Sequence, residues 1–217
     1  MPTVSAALTS GADATGVPRD SEPRAAASGQ LPFEEKRPRQ ATGSAPKADV
    51  PARASVPKQR PFPPLLSGAA FSGDTQLSAA WEALDTKGRS RLKREDFVSA
   101  MGAARDVFSR RPTGEARFLD AYTRAGVAYA DGRTAEAWQL LSRALQSAGP
   151  AADTQVMRFV TDEVHAMGPN PGPDANWVMG LAFADVRGDL EGELARAEER
   201  APRSPRVREA RELSEGR

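Results

Sequence analysis

The sequence predicts an all-α protein of stacked antiparallel helix hairpins, preceded by a disordered N-terminal arm. Beyond residue 73, apolar residues recur with the period of a helix face rather than with the alternation of a strand. Residues 1–66 instead hold 11 of the 18 prolines and few aromatic residues, so they cannot bury enough apolar surface to fold. We therefore predict an arm over 1–66 and a helical domain over 67–217.

Two stretches of the arm have the form of short linear motifs. GQLPFEEKR (29–37) places two apolar residues in a polar background, and KQRPFPPLL (58–66) resembles an SH3 ligand because a basic residue precedes PxxP. Chance occurrence in a proline-rich sequence is the alternative for both. The second stretch has a further interpretation, in which three apolar residues cap the edge of the helical domain. These residues are Phe62, Leu65 and Leu66.

The domain is predicted to contain eight helices, and their ends carry recognisable signals. Asp74 or Thr75 can cap the first helix and Thr134 the fourth, because their side-chain oxygens accept backbone N–H groups. Gly132 stands where a left-handed residue would end the third helix. The predicted spans are 75–86, 92–110, 114–130, 134–147, 152–167, 174–186, 189–200 and 205–214.

The stretch LDTKGRSRLKREDF joins the first two helices, and with them it resembles the frame of an EF-hand over 75–111. Asp85 takes the first loop position and Asp96 the twelfth. The third and fifth positions, however, are Lys87 and Arg89, and further cations crowd the loop. The resemblance therefore implies the frame without calcium binding, and we predict no metal and no cofactor.

The cations of this loop are candidate partner-binding residues, because a dense positive charge can bind phosphate or an acidic surface. The alternative is a solvated loop in an arginine-rich chain, since 25 of the 30 basic residues are Arg, as a GC-rich genome produces. The cations are Lys87, Arg89, Arg91, Lys93 and Arg94.

The stretch FLDAYTRAGVAYADGRTAEAWQLLSRALQSAGP, within 114–150, resembles a tetratricopeptide repeat. The residues that match the repeat in type are Ala125, Gly132, Ala137, Leu141, Ala144 and Pro150. Residues 174–205 match less closely, because Glu193 stands where the repeat has Ala. The resemblance implies helix hairpins that bind a peptide or a protein surface on a concave face.

Aromatic residues at helical spacing have two interpretations. They fill the core, or they line a binding face, where Tyr and Trp supply contact area and one polar group each. The candidates for the second role are Tyr122, Tyr129, Trp138 and Trp177.

Composition excludes several classes of function. The chain has no Cys and one His, which rules out disulfides, thiolate nucleophiles and sites with two histidines in one chain. His165 follows Asp162 and Glu163 and could act as a general base, but an exposed helix residue is the simpler interpretation. There is no phosphate-binding glycine loop, so we predict no enzyme.

We expect a cytoplasmic protein, because no apolar run reaches the roughly 20 residues of a membrane span and the first residues lack a signal-peptide pattern. The predicted function is a non-enzymatic adaptor that binds a protein partner. Two alternatives stay open. One is a component or chaperone of a bacterial secretion or motility machine. The other is a nucleic-acid-associated regulator that uses the basic loop with Arg110 and Arg111, although the net charge of +1 makes nucleic acid the less favoured partner.

Overall fold

The structure is a computed structural model that describes residues 60–216. Eight α-helices follow one another within this part of the chain, which confirms the predicted all-α class. They are α1 (Thr75–Leu84), α2 (Arg94–Arg110), α3 (Gly114–Ala130), α4 (Thr134–Leu145), α5 (Gln155–Met167), α6 (Ala175–Ala182), α7 (Leu190–Arg200) and α8 (Pro205–Ser214). The motif at 29–37 and the basic start of the motif at 58–66 lie outside the described residues.

Consecutive helices pack against each other in antiparallel pairs, as the sequence predicts. Helices α1 to α4 contact one another in chain order, and α5 to α8 continue in the same manner. Short 3-10 helices at Gly68–Phe71 and Gly149–Ala152 precede α1 and α5 and contact each other. A hydrophobic cluster extends through the described helices, so each pair buries its apolar faces against its neighbours.

Capping residues explain where helices begin and end. The carboxylate of Asp74 accepts the backbone N–H of Leu77 at 3.2 Å, so α1 begins at a predicted cap. Thr134 is the first residue of α4, which follows Arg133 without a side-chain cap, so its predicted capping role is wrong. Gly132 has a φ of 79° and supplies the predicted left-handed end of α3.

Aromatic rings from three parts of the chain form the centre of the core. The ring centroid of Phe183 lies 5.8 Å from that of Phe97, 5.4 Å from that of Tyr122 and 5.5 Å from that of Tyr129. The hydroxyl of Tyr122 donates to the carbonyl of Ala182. Burial raises the pKa of both tyrosines, so these phenols stay protonated. The hydroxyl of Tyr129 donates to the carbonyl of Asn176 at 3.3 Å, so the two phenols tie α3 to both ends of α6.

The chain enters the domain through a strap, residues 60–67. The N–H of Phe62 donates to the carbonyl of Arg89 at 2.7 Å, and the hydroxyl of Thr154 donates to the carbonyl of Leu65 at 2.6 Å. The apolar side chains of the strap are buried in the core, as the capping interpretation expects. They are Phe62, Leu65 and Leu66. The folded body therefore begins before residue 67, where the sequence places its boundary.

The turn after α6 has an unusual backbone. The helix ends at Ala182 rather than at the predicted residue 186, and Ala184 and Asp185 follow with φ values of 45° and 51°. Left-handed conformations are unfavourable for residues with a Cβ atom, so tertiary contacts must hold this pair. The carbonyl of Ala184 accepts the N–H of Leu92 at 3.2 Å, which attaches the turn to the α1–α2 loop.

Candidate functional site

A cleft of about 800 Å³ opens where four segments of the domain meet. These segments are the strap, the α1–α2 loop, the α6–α7 turn and the end of α8. Side chains of both charge signs and two apolar side chains line the cleft. A concave site with convergent polar groups beside a strained backbone is the best candidate for a binding site.

Two arginines line the cleft. Arg91 comes from the α1–α2 loop and Arg60 from the strap, and both side chains are exposed. Neither makes a salt bridge to a carboxylate within the described residues, and the guanidinium of Arg91 lies against Gly188 of the α6–α7 turn. The sequence identifies Arg91 as a candidate but misses Arg60, because residue 60 falls in the part assigned to the arm.

Of the other four loop cations, two pair with carboxylates and two make no salt bridge within the described residues. Arg89 pairs with Asp96 at 3.3 Å, and Arg94 pairs with Asp131 at 2.6 Å. The hydrogen bond from Arg94 lowers the pKa of Asp131, so this pair stays charged over the physiological range. Two loop cations are exposed and make no salt bridge within the part of the chain that the structure describes. They are Lys87 and Lys93.

Carboxylates from the α6–α7 turn, α7 and the residue after α8 also line the cleft. They are Asp185, Glu191 and Glu215. Asp185 accepts the N–H of Leu190 at 2.9 Å, so its side chain caps α7. Burial raises the pKa of Asp185 above its usual value, although backbone hydrogen bonds and the charge of Arg91 act in the opposite direction.

A charge network connects Glu191 of the cleft with α7 and α8. Arg211 of α8 pairs with Glu191 and also with Glu198, the latter at 3.0 Å. The hydrogen bond from Arg211 lowers the pKa of Glu198. Because one guanidinium pairs with two carboxylates, these three groups together carry a net negative charge beside the cleft.

Phe62 and Leu190 also line the cleft, and both are largely buried. Gly188 has a φ of 74° and lies under the guanidinium of Arg91, so a side chain there would collide with that arginine. The absence of a side chain at this position lets the loop and the turn approach each other closely.

The loop that resembles an EF-hand uses its frame carboxylates for its own structure. Asp85 accepts the N–H of Lys87 at 3.0 Å, and Asp96 accepts the N–H of Lys93 at 2.8 Å while pairing with Arg89. Helix, loop and helix are present as predicted. Among the described residues there is no group of three or more side chains suited to holding a metal ion.

The four aromatic candidates for a binding face lie in the core. Tyr122 and Tyr129 are 0% exposed, Trp138 is 1% exposed and Trp177 is 3% exposed. The indole N–H of Trp138 donates to the carbonyl of Gly168 at 2.9 Å, so even its polar group is engaged inside the protein. The helical spacing of these four residues reflects their place in the core, so their side chains offer no surface to a partner.

The acidic residues around His165 do not form a site with it. His165 and Asp162 are exposed on α5, whereas Glu163 is buried and accepts a hydrogen bond from Arg206 at 2.6 Å. The guanidinium of Arg206 also lies 4.3 Å from the ring centroid of Phe159. Glu163 therefore attaches α8 to α5.

Arg110 and Arg111 lie at the opposite end of α2 from the basic loop. Helix α2 has 17 residues, which separates its two ends by about 25 Å. Arg110 pairs with Asp106 at 2.7 Å, and Arg111 pairs with Asp74. The cations of the predicted nucleic-acid surface are thus split between two places, and several are already paired.

No helix in the described part of the chain is both long enough and apolar enough to cross a membrane. The sequence matches no protein-family model, and no curated protein or solved structure shows significant similarity to it.

Proposed function

We propose that the protein is a non-enzymatic interaction module that binds a protein partner in the cleft between the strap, the α1–α2 loop and the α6–α7 turn. The observation that supports this proposal is that arginines, carboxylates and two apolar side chains line the same cleft. Polypeptides carry both signs of charge together with apolar side chains, so they complement such a site.

The same observation argues against nucleic acid as the partner. Nucleic acid presents a uniform row of phosphates, and proteins bind it with surfaces of one sign. Here Asp185 and Glu191 would face any phosphate held by Arg91. The hairpin architecture and the resemblance of 114–150 to a tetratricopeptide repeat also favour a peptide or protein partner.

A photo-crosslinking residue placed at Ser90 of the cleft, in the full-length protein in its native cells, tests the proposal. The control position is Ser109, which is exposed near the other end of α2. We expect a discrete protein adduct from position 90 and none from position 109. Loss of the adduct on Arg91→Glu, with its retention on Arg105→Glu, would assign it to the cleft.

Two results would contradict the proposed function. One is a nucleic-acid adduct at position 90, and the other is a protein adduct that survives Arg91→Glu unchanged. Arg105 is a suitable control because it is an exposed arginine on α2 that does not line the cleft.

A further inference from the structure

The C-terminal end of α6 has an unfavourable residue in its left-handed position. The N–H of Asp185 donates to the carbonyl of Gly180 at 2.7 Å. The N–H of Ala184 donates to the carbonyl of Leu181 at 3.3 Å, and these two bonds form the pattern of a helix that ends in a left-handed residue. That residue is Ala184, with a φ of 45°, although glycine is the residue that usually occupies this position.

The sequence favours a longer α6. Its apolar periodicity predicts a helix over 174–186, beyond the observed end. A helix one residue longer still would place Gly188 directly after its end, where glycine is preferred, and Gly188 already has a φ of 74°. Such a helix would also release Ala184 and Asp185 from their left-handed conformations. The shorter helix therefore depends on contacts from outside the turn.

The α1–α2 loop makes these contacts. The N–H of Leu92 donates to the carbonyl of Ala184 at 3.2 Å, and the guanidinium of Arg91 lies against Gly188. In a longer α6 the carbonyl of Ala184 would point along the helix axis and accept a backbone N–H from the next turn. Leu92 would then lose its acceptor, so attachment of the loop opposes extension of the helix.

The strap holds the loop in place. The N–H of Phe62 donates to the carbonyl of Arg89 at 2.7 Å, and the hydroxyl of Thr86 donates to the carbonyl of Pro63 at 2.9 Å. Thr86 is 0% exposed, so water does not compete for this hydroxyl. Hydrogen bonds thus connect the strap to the loop, and the loop to the α6–α7 turn.

We propose that the strap is a conformational switch for the cleft. While the strap is attached, the loop keeps α6 short and Arg91 lies against the turn. When the strap detaches, α6 extends toward Gly188. Residues of the strap, the loop and the turn all line the cleft, so the two states differ in the surface that they offer to a partner. This inference goes beyond the proposed function, because the switch operates in the free protein.

Amide hydrogen exchange, followed by NMR on the full-length protein, tests the switch at two amides. The N–H of Phe62 monitors the strap, and the N–H of Leu190 monitors the turn because it donates to the carboxylate of Asp185 at 2.9 Å. Thr86→Val removes the hydroxyl that bonds the strap and keeps the size of the side chain. We expect it to accelerate exchange of both amides about five- to tenfold, the effect of losing one hydrogen bond. The Cα chemical shift of Ala184 should move toward helical values.

Thr123→Val is the matched control. Thr123 is 0% exposed, as Thr86 is, but its hydroxyl donates to a carbonyl within its own helix, that of Leu119 at 2.8 Å. We expect this variant to leave the exchange of Phe62 and Leu190 at the wild-type rates, because these amides exchange through local opening rather than global unfolding. The circular dichroism spectrum of each variant verifies its folding.

Ala184→Gly tests the coupling in the opposite direction. Glycine adopts the left-handed conformation without steric cost, so this variant should stabilise the short α6. Coupling between two sites is reciprocal, so exchange of the Phe62 amide should slow together with that of Leu190. An improved helix end without coupling to the strap would slow Leu190 alone.

Three results would overturn the inference. They are acceleration of Phe62 without Leu190 by Thr86→Val, no effect of Ala184→Gly on Phe62, and a Cα shift of Ala184 that does not move toward helical values in Thr86→Val. If Thr86→Val did not fold, Ala184→Gly would decide alone. These measurements contain no partner, so their failure is separate from failure of the photo-crosslinking that tests the proposed function.

Discussion

At Gly188, both the backbone conformation and the packing require a residue without a side chain. Its φ of 74° is unfavourable for any residue with a Cβ atom, and a Cβ there would collide with the guanidinium of Arg91. We expect Gly188→Ala to lower the free energy of unfolding by about 1–2 kcal/mol. Urea unfolding followed by tryptophan fluorescence measures this difference.

Gly192 provides the matched control for this substitution. It lies in α7, and the nearest atom that its Cβ would meet is Arg196 Nη1, at 3.7 Å. Gly192→Ala should therefore raise the free energy of unfolding by about 0.5–1 kcal/mol, since alanine loses less backbone entropy in a helix. Equal effects of the two substitutions would show that the α6–α7 turn does not depend on glycine at position 188.

Asp185 should make the free energy of unfolding depend on pH, with its favourable contribution at low pH. Burial raises its pKa in the folded state, so the folded protein binds the proton more tightly than the unfolded chain, whose Asp has a pKa of about 3.9. The resulting stability is fully present below the unfolded pKa and is lost as pH rises through the folded pKa. At neutral pH the ionised carboxylate is therefore a cost to the fold.

Asp185→Asn isolates this effect, because the amide oxygen can still accept the N–H of Leu190 while the charge is removed. The difference in unfolding free energy, wild type minus variant, should increase as pH falls from about 7 toward about 4. Urea titrations of both proteins across this range measure it. A difference that stays constant with pH would show that Asp185 titrates alike in the folded and unfolded states.

At the scale of elements, the contact between α2 and α3 depends on one close approach. Gly126 of α3 lies against the ring of Phe97 of α2, and a Cβ at this glycine would overlap that ring. Because the ring is fully buried, it cannot move aside without disturbing its neighbours. We expect Gly126→Ala to destabilise the protein by about 1–3 kcal/mol in urea unfolding, as overpacked cores do.

Gly102 supplies the comparison for that contact. It is exposed on α2, and no atom lies within 4 Å of the Cβ that alanine would add. Gly102→Ala should stabilise the protein slightly through helix propensity. If Gly126→Ala proved as harmless as Gly102→Ala, the two helices would be free to move apart, and the tight α2–α3 contact would be refuted.

The elements also show what the sequence could and could not predict. Apolar periodicity located all eight helices, because the burial of one face is a local property of the sequence. The end of α6 was predicted incorrectly, since alanine at position 184 carries no signal for a left-handed backbone and is held there by the N–H of Leu92. Likewise α5 begins at Gln155 rather than at 152, because a 3-10 helix occupies the preceding residues.

The candidate site was less predictable than the helices. The sequence identified the cations of the loop but could not tell which of them find carboxylates from distant segments, such as Arg94 with Asp131. It also could not bring Arg60 and Glu191 to the same cleft as Arg91. These placements depend on tertiary structure, and no local pattern encodes them.

At the scale of the whole molecule, the strap determines where an independently stable domain can begin. Its buried side chains are Phe62, Leu65 and Leu66, each at most 6% exposed. Burial of three such side chains contributes an upper estimate of about 4–9 kcal/mol, which is comparable with the total stability of about 5–15 kcal/mol of an ordinary domain. A fragment that begins at residue 67 should therefore be unfolded or greatly destabilised.

Comparison of fragments 60–217 and 67–217 with the full-length protein, by urea unfolding, checks this expectation. Fragment 60–217 should unfold at nearly the same urea concentration as the full chain, whereas 67–217 should unfold at a much lower one. Within the full chain, Leu65→Ala should cost about 2–5 kcal/mol, while Val98→Ala, at a side chain 39% exposed, should cost far less. If fragment 67–217 unfolded at the same urea concentration as the full chain, the contacts of the strap would not stabilise the domain. Arg60 would then reach the cleft on a segment that the domain does not hold in place.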